Sequence, residues 1–237
     1  AGRSDGRGWL GGSPGEVFAR GMEGSRGAHV LTSLGGTQRR GCVDVEPSMP
    51  ASIVVRERLR DARGQPADWR LSRVDIDSRE EVLDTDRDRV EGYVFARNGR
   101  LAYVQHLRDD ALVTTHIETD GRRSDILRCG VLRRCALWPS LDKDAQARIV
   151  MDSDGMPSRL RRMDTDGTTV DLAGDPRHEG DIEAIVADPD DGMPALLDYR
   201  AARATAQALD ESTAARLATI RRILPDAALS IDIGRSR

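Results

Sequence analysis

From about residue 46 onward, short apolar runs alternate with polar punctuation. Ser52-Ile53-Val54-Val55-Arg56 opens the pattern, and a polar turn over 61–66 follows. Trp69-Arg70-Leu71-Ser72-Arg73-Val74-Asp75-Ile76 and Glu81-Val82-Leu83 complete a first unit. Leu71, Arg73 and Asp75 alternate there with Ser72, Val74 and Ile76, an imperfect period of two. A second unit holds Gly92-Tyr93-Val94-Phe95-Ala96, Leu101-Ala102-Tyr103-Val104, the run 111–117 and Asp125-Ile126-Leu127. Its Asn98-Gly99 stands between apolar runs, the strongest short hairpin signal. A third unit holds Ala136-Leu137-Trp138 and the runs 147–151, 158–163 and 169–172. A fourth pairs Ile182-Glu183-Ala184-Ile185-Val186 with Pro194-Ala195-Leu196-Leu197-Asp198-Tyr199. The period then changes. Asp210 suits a helix N-cap, Ala214, Leu217, Ile220, Ile223 and Leu224 follow at helical spacing, and Pro225 ends the run. This predicts one α-helix near 211–224, with a last strand over 228–233.

One phrase recurs through these units: an apolar residue, an acid and a hydroxyl. It reads Ile76-Asp77-Ser78, Ile117-Glu118-Thr119 and Met163-Asp164-Thr165, at intervals of 41 and 46 residues. Two copies run on into Asp120-Gly121 and Asp166-Gly167. Asp-Gly supplies the positive φ of a tight hairpin, and the acid and hydroxyl can bond turn backbone. A single such turn carries no weight. Repetition every 40–50 residues or so, with strands on both sides, predicts β-propeller blades. The expected fold is all-β: a partial β-propeller of about four antiparallel blade-like units, with the one late helix. Residues 1–45 differ in kind. Twelve glycines lie between Gly2 and Gly41, and only Ala28-His29-Val30-Leu31 reads as a strand. Glycine is the costliest residue to order, so a poorly structured segment is expected over 1–45, with the propeller domain over 46–237.

Composition narrows the function. The chain has 237 residues and a net charge of −4, which gives no electrostatic footprint for nucleic acid. Of its 36 basic residues only Lys143 is lysine, which reads as coding bias rather than an arginine-built binding surface. Aromatics make up 3%, low for a propeller. Cys42, Cys129 and Cys135 suggest neither a disulfide framework nor a zinc site, and buried or neutral thiols are expected. No run has the length of a membrane span, and the opening residues lack the apolar core of a signal peptide. With no disulfide framework either, the cytoplasm is favoured. The first residue is not Met, so the chain is processed or a fragment and export stays open.

From about residue 46 the chain resembles the propeller region of the prolyl oligopeptidase family of serine peptidases, in its bacterial dipeptidyl- or acylaminoacyl-peptidase-like branch. The stretch from Trp69 to Ser78 resembles a blade strand of that branch, with Ser72 in place of its usual aromatic and Arg79 in place of its usual glycine. Gly180-Asp181-Ile182 through Asp188-Pro189-Asp190-Asp191-Gly192-Met193-Pro194 resembles its hairpin. Leu209-Asp210 through Ile223-Leu224-Pro225 resembles the helix after it, with its leucine-proline ending. The resemblance implies a propeller that caps an α/β-hydrolase domain and restricts which peptides reach its Ser-His-Asp triad. That hydrolase domain would lie beyond Arg237, and the partners would be a peptide substrate and this catalytic domain.

The chain itself offers no convincing catalytic centre. Gly11-Gly12-Ser13-Pro14-Gly15 matches G-x-S-x-G, but no apolar strand precedes it and Pro14 removes an oxyanion-hole N–H. His29, His106, His116 and His178 are scattered, and His106 and His116 read as surface or inter-blade residues. Asp152-Ser153-Asp154-Gly155 and Asp188-Pro189-Asp190-Asp191-Gly192 lack the ligand ladder of a calcium loop and read as turns. Asp84-Thr85-Asp86-Arg87-Asp88-Arg89 reads as solvated, weakly paired charge. No catalytic, cofactor-binding or metal residue is therefore assigned. A non-enzymatic propeller that binds a partner stays open, as does a truncated gene product whose unpaired edge strands invite association.

Overall fold

The computed structural model of the protein describes residues 52–225, apart from 76, 97, 131, 142–143, 154–155, 189–191 and 201–204, together with residue 231 and the backbone of strands within 9–45. It contains two compact units: residues 1–91 with 106–108, and residues 92–105 with 109–237.

In the first unit β1 (Trp9–Ser13), β2 (Glu16–Arg20) and β3 (His29–Ser33) form a three-stranded antiparallel sheet. Backbone pairing thus orders strands inside the glycine-rich segment, where only one short strand was expected. The first blade is β4 (Gly41–Val45), β5 (Ser52–Arg60), β6 (Pro66–Asp75) and β7 (Glu80–Asp86), in that order. Its first strand begins at Gly41. On β6 the residues Leu71, Ser72, Arg73 and Val74 are all buried, so both faces are covered and no clean alternation can appear. Buried Glu57 on β5 takes the Arg70 guanidinium on β6, with Nε at 2.6 Å.

The second blade is β8 (Arg89–Phe95), β9 (Leu101–Arg108), β10 (Ala111–Ile117) and β11 (Arg123–Gly130). In the second unit follow a third blade, β12 (Cys135–Leu141), β13 (Ala147–Ser153), β14 (Met156–Met163) and β15 (Thr169–Ala173), and a three-stranded fourth, β16 (Asp181–Ala187), β17 (Pro194–Arg200) and β18 (Thr205–Ala208). Helix α1 (Glu211–Ile223) closes the described chain. Asp210 caps it, its Oδ1 accepting from Thr213 N at 2.8 Å. The fold is thus the expected partial β-propeller with one late helix. The strand expected at 228–233 lies outside the described residues.

Two apolar cores hold the second unit. Val94, Tyr103, Cys129, Ile149 and Met163 pack between the second and third blades. Val150, Leu160, Ile182, Leu197 and Tyr199 pack between the third and fourth. A fully buried side chain of this size contributes roughly 1.5–3 kcal/mol. Polar clasps set the sheets in register. Asp181 Oδ1 accepts from Ser158 N at 2.7 Å while Ser158 Oγ accepts from Ile182 N at 2.9 Å. The buried Tyr103 hydroxyl donates to the Ala145 carbonyl at 2.5 Å.

The repeat is real, but its register differs from the phrase read in sequence. The turns are Asp75–Arg79, Glu118–Arg122 and Asp164–Thr168. In each, the first N–H donates to the fifth carbonyl and the fourth N–H to the first carbonyl. The fourth positions, Ser78, Gly121 and Gly167, have φ of 63°, 87° and 86°. Asp75, not Asp77, therefore matches Glu118 and Asp164, and Ser78 does the work of glycine.

Two further expectations are corrected. Cys129 and Cys135 are joined as a disulfide, six residues apart, rather than standing as thiols. Cys129 on β11 and Cys135 on β12 are both buried, and the bond ties the second blade to the third. One of the two grounds for favouring the cytoplasm thereby falls. The acidic run at 84–89 is also not merely solvated. Asp84 is 3% exposed on β7, and its Oδ2 lies 2.9 Å from Nε2 of His106, itself 1% exposed. Asp88 takes Arg108 Nε at 2.7 Å, and Asp86 lies 3.7 Å from the same guanidinium.

Candidate functional site

A cleft of about 470 Å³ opens where α1 lies against the fourth blade. Its wall follows from small residues. At helical spacing α1 turns Ala214, Leu217, Ala218 and Arg221 to one side, and β18 brings Ala206 and Ala208 opposite. Methyl groups on both sides leave the space unfilled. The helix side is held by the Asp210 cap and by Arg221, whose Nη2 donates to the Ala206 carbonyl at 2.6 Å.

The polar rim comes from three segments. Tyr199 on β17 stands opposite Thr205 of β18 in the ladder, and its hydroxyl donates to Gln207 Oε1 at 2.6 Å. Burial, and after it the Asp175 charge, outweigh Arg159 and push the Tyr199 phenol up to about 12. The hydroxyl is therefore a neutral donor at physiological pH. Asp175 begins the turn before β16. Its Oδ1 accepts from Arg177 N at 3.1 Å, and its Oδ2 from Glu179 N at 3.0 Å and Gly180 N at 2.9 Å. Burial works to raise the Asp175 carboxyl, yet these three N–H groups and the Arg177 charge hold it below the usual carboxylate range. Arg177 in turn reaches across the cleft, its Nη2 donating to Thr205 Oγ1 at 3.3 Å.

Within each unit, the described residues singled out in sequence do not gather into one site. Ser13 ends β1 and pairs with Glu16 of β2, so a strand follows it rather than the helix of a nucleophile elbow, and Pro14 and Gly15 lie outside the described residues. His29 opens β3. His116 stacks against Tyr103 with ring centroids 4.9 Å apart, and burial foremost lowers its pKa. His178 sits in the exposed turn after Asp175, with φ 56°. His106 is the buried partner of Asp84, so of the two roles read for it, surface or inter-blade, the surface one does not hold. Asp152 is held by Arg133 Nε and Arg134 N, both at 3.1 Å. Gly192 N donates to the Asp188 carbonyl at 2.8 Å, while residues 154–155 and 189–191 lie outside the described residues. Among the described residues no group of three or more His, Cys, Asp or Glu side chains is placed to hold a metal ion. Nor is any helix among them long and apolar enough to cross a membrane.

The cleft residues went unread in sequence because they depend on β18. Thr205-Ala206-Gln207-Ala208 is too short and alanine-rich to declare a strand. The available sign was Asp175-Pro176 ahead of Gly180, a turn whose side chain gathers backbone N–H groups.

No protein-family model matches the chain, and no curated protein matches its sequence. Solved structures match its fold. TolB from Acinetobacter baumannii is 11% identical with a TM-score of 0.54, over 84% of this chain and 48% of that one. A puromycin hydrolase is 19% identical with a TM-score of 0.52, over 84% of this chain and 34% of that one. An oligogalacturonate lyase from Vibrio parahaemolyticus is 13% identical with a TM-score of 0.50, over 81% and 55%. The chain thus spans about a third to a little over half of these three structures. At these identities the likeness shows the fold.

Proposed function

We propose that the chain is the substrate-gating propeller portion of a prolyl-oligopeptidase-like serine peptidase, inactive without its α/β-hydrolase domain. The observation that carries this reading is a coincidence of two independent likenesses. The blade strand at 69–78, the hairpin at 180–194 and the helix at 209–225 read like that family, and the chain shares a fold with part of a puromycin hydrolase. The role is steric. A stack of hairpin sheets over a hydrolase site admits short peptides and turns folded proteins away, while the bond-breaking groups sit elsewhere.

The test is fluorophosphonate labelling of the protein encoded by the whole reading frame, beside the 237-residue chain alone. The expected label falls on a serine beyond Arg237 within G-x-S-x-G, and the isolated chain neither labels nor turns over fluorogenic aminoacyl substrates. Turnover by the isolated chain that disappears in Ser13→Ala overturns the proposal.

A second reading has its own support. The TolB structure matches this chain over the same 84% at a TM-score of 0.54. A non-enzymatic propeller that binds a partner predicts no fluorophosphonate label anywhere in the full reading frame, and no strand–G-x-S-x-G–helix segment in its sequence.

A further inference from the structure

We propose that the cleft between the fourth blade and α1 binds a small organic carboxylate with a short aliphatic tail. The inference is independent of the peptidase reading, since no part of it needs a hydrolase domain.

Hydrogen-bond accounting around the cleft carries it. The acceptors at the rim are already engaged. Asp175 takes three backbone N–H groups, Thr205 Oγ1 takes Arg177, the Ala206 carbonyl takes Arg221, and Gln207 Oε1 takes the Tyr199 hydroxyl. Against these engaged acceptors stand donors with no hydrogen-bond partner among the described residues: the Gln207 amide N–H groups and the other N–H groups of two guanidiniums. Glu179, 58% exposed, forms a loose ion pair with Arg177 at 3.9 Å from its Nε. Open donors therefore predominate at this rim, and two arginines favour a ligand atom that accepts and is negative.

The floor selects the rest of the ligand. It is built from Leu217 and the methyl groups of four alanines, with no aromatic face on which a ring could stack other than the buried Tyr199. The volume of about 470 Å³ lies within the range of small-molecule sites. An inorganic anion would leave that apolar floor wet. An alkyl chain of a few carbons covers it while its carboxylate sits between Arg177 and Arg221.

The experiment is calorimetric titration of the 237-residue chain with hexanoate, hexan-1-ol and acetate. Hexanoate is expected to bind at least about tenfold tighter than either, since only it supplies both charge and tail. Arg177→Gln weakens hexanoate by about fivefold or more, with the far-UV spectrum unchanged. Ala218→Trp, at an exposed helix position, fills the cleft and removes binding without lowering the unfolding temperature. Equal affinity for hexanol and hexanoate overturns the proposal, as does unaltered binding by Ala218→Trp or the absence of saturable hexanoate binding.

Discussion

Gly121 and Gly167 occupy the same place in two copies of one turn, and a methyl group added to each separates the cost of the turn from the cost of the packing around it. Their φ angles are 87° and 86°, so an alanine meets the same left-handed penalty at both, roughly 1–2 kcal/mol. Their surroundings differ. A Cβ at Gly121 has nothing within 4 Å. A Cβ at Gly167 would lie 1.9 Å from the Ile126 carbonyl oxygen and 2.8 Å from its carbon. That oxygen is backbone and cannot swing aside as a side chain would. Ile126 is also the residue left over where the β10–β11 register shifts, opposite Thr114 and Thr115. Relief therefore requires the β14–β15 turn to withdraw from β11 by about 1 Å, which loosens the core between the second and third blades. Overpacking of this kind costs about 1–3 kcal/mol. Gly121→Ala is expected to cost about 1–2 kcal/mol and Gly167→Ala about 2–5 kcal/mol. Urea unfolding followed by tryptophan fluorescence reads both, with equal m-values required for the comparison. Equal destabilisation of the two variants would refute the close approach of the third-blade turn to β11.

Three more outcomes follow from the geometry. Removing one partner of the buried Asp84–His106 hydrogen bond, by Asp84→Ala or His106→Leu, is expected to cost about 1–3 kcal/mol, and the double variant less than the sum; additive losses in a double-mutant cycle would show that the two do not interact. The Cys129–Cys135 bond leaves one titratable thiol of three in the denatured, unreduced chain, and Cys129→Ser with Cys135→Ser lowers stability by about 2 kcal/mol; three thiols by titration would exclude the bond. Asp175 binds its proton more weakly folded than unfolded, so its stabilisation is complete above the ordinary carboxylate pKa of 3.8 and is lost as pH falls through the lower folded value; Asp175→Asn should flatten that part of the stability–pH curve, and an unchanged curve would count against the three N–H bonds.

The fold was legible because hairpins are written locally. Asn98-Gly99, Asp120-Gly121 and Asp166-Gly167 each announce a turn, and the runs on either side can only pair with one another. Helix α1 was legible for the same reason, from Asp210 to Pro225. The register of the repeat was not. At the first turn a serine takes the left-handed place, and Asp75 supplies through Oδ1 the bonds to Asp77 N and Arg79 N, both at 2.9 Å. In the later copies Asp120 and Asp166, two places further on, do this through single bonds to Arg122 and Thr168. A pattern of residue types cannot separate these two solutions, because each places an acid near a positive φ. The cleft and the Asp84–His106 pair were hidden for another reason. Both join residues that are distant along the chain and meet only through strand pairing or packing, as Arg177 meets Thr205 and Asp84 meets His106.

Low aromatic content gives the second unit a particular way of fixing its sheets. An aromatic ring buries about 150–250 Å² and prefers few orientations, so aromatic cores define sheet position by shape. Here the inter-blade cores are mostly Val, Leu, Ile, Met and Ala, whose packing tolerates sliding. Position is set instead by bonds with direction: Ser158 with Asp181 and Ile182, and Tyr103 with the Ala145 carbonyl. Each contributes only about 0.5–1.5 kcal/mol net, but a sheet that slips strands a buried donor at about 1–3 kcal/mol. The penalty for misplacement thus exceeds the gain from the bond, and register is enforced more strongly than stability is raised. The same division applies at the cleft, where bonds from Arg177 and Arg221 and the three N–H groups on Asp175 hold the walls in place.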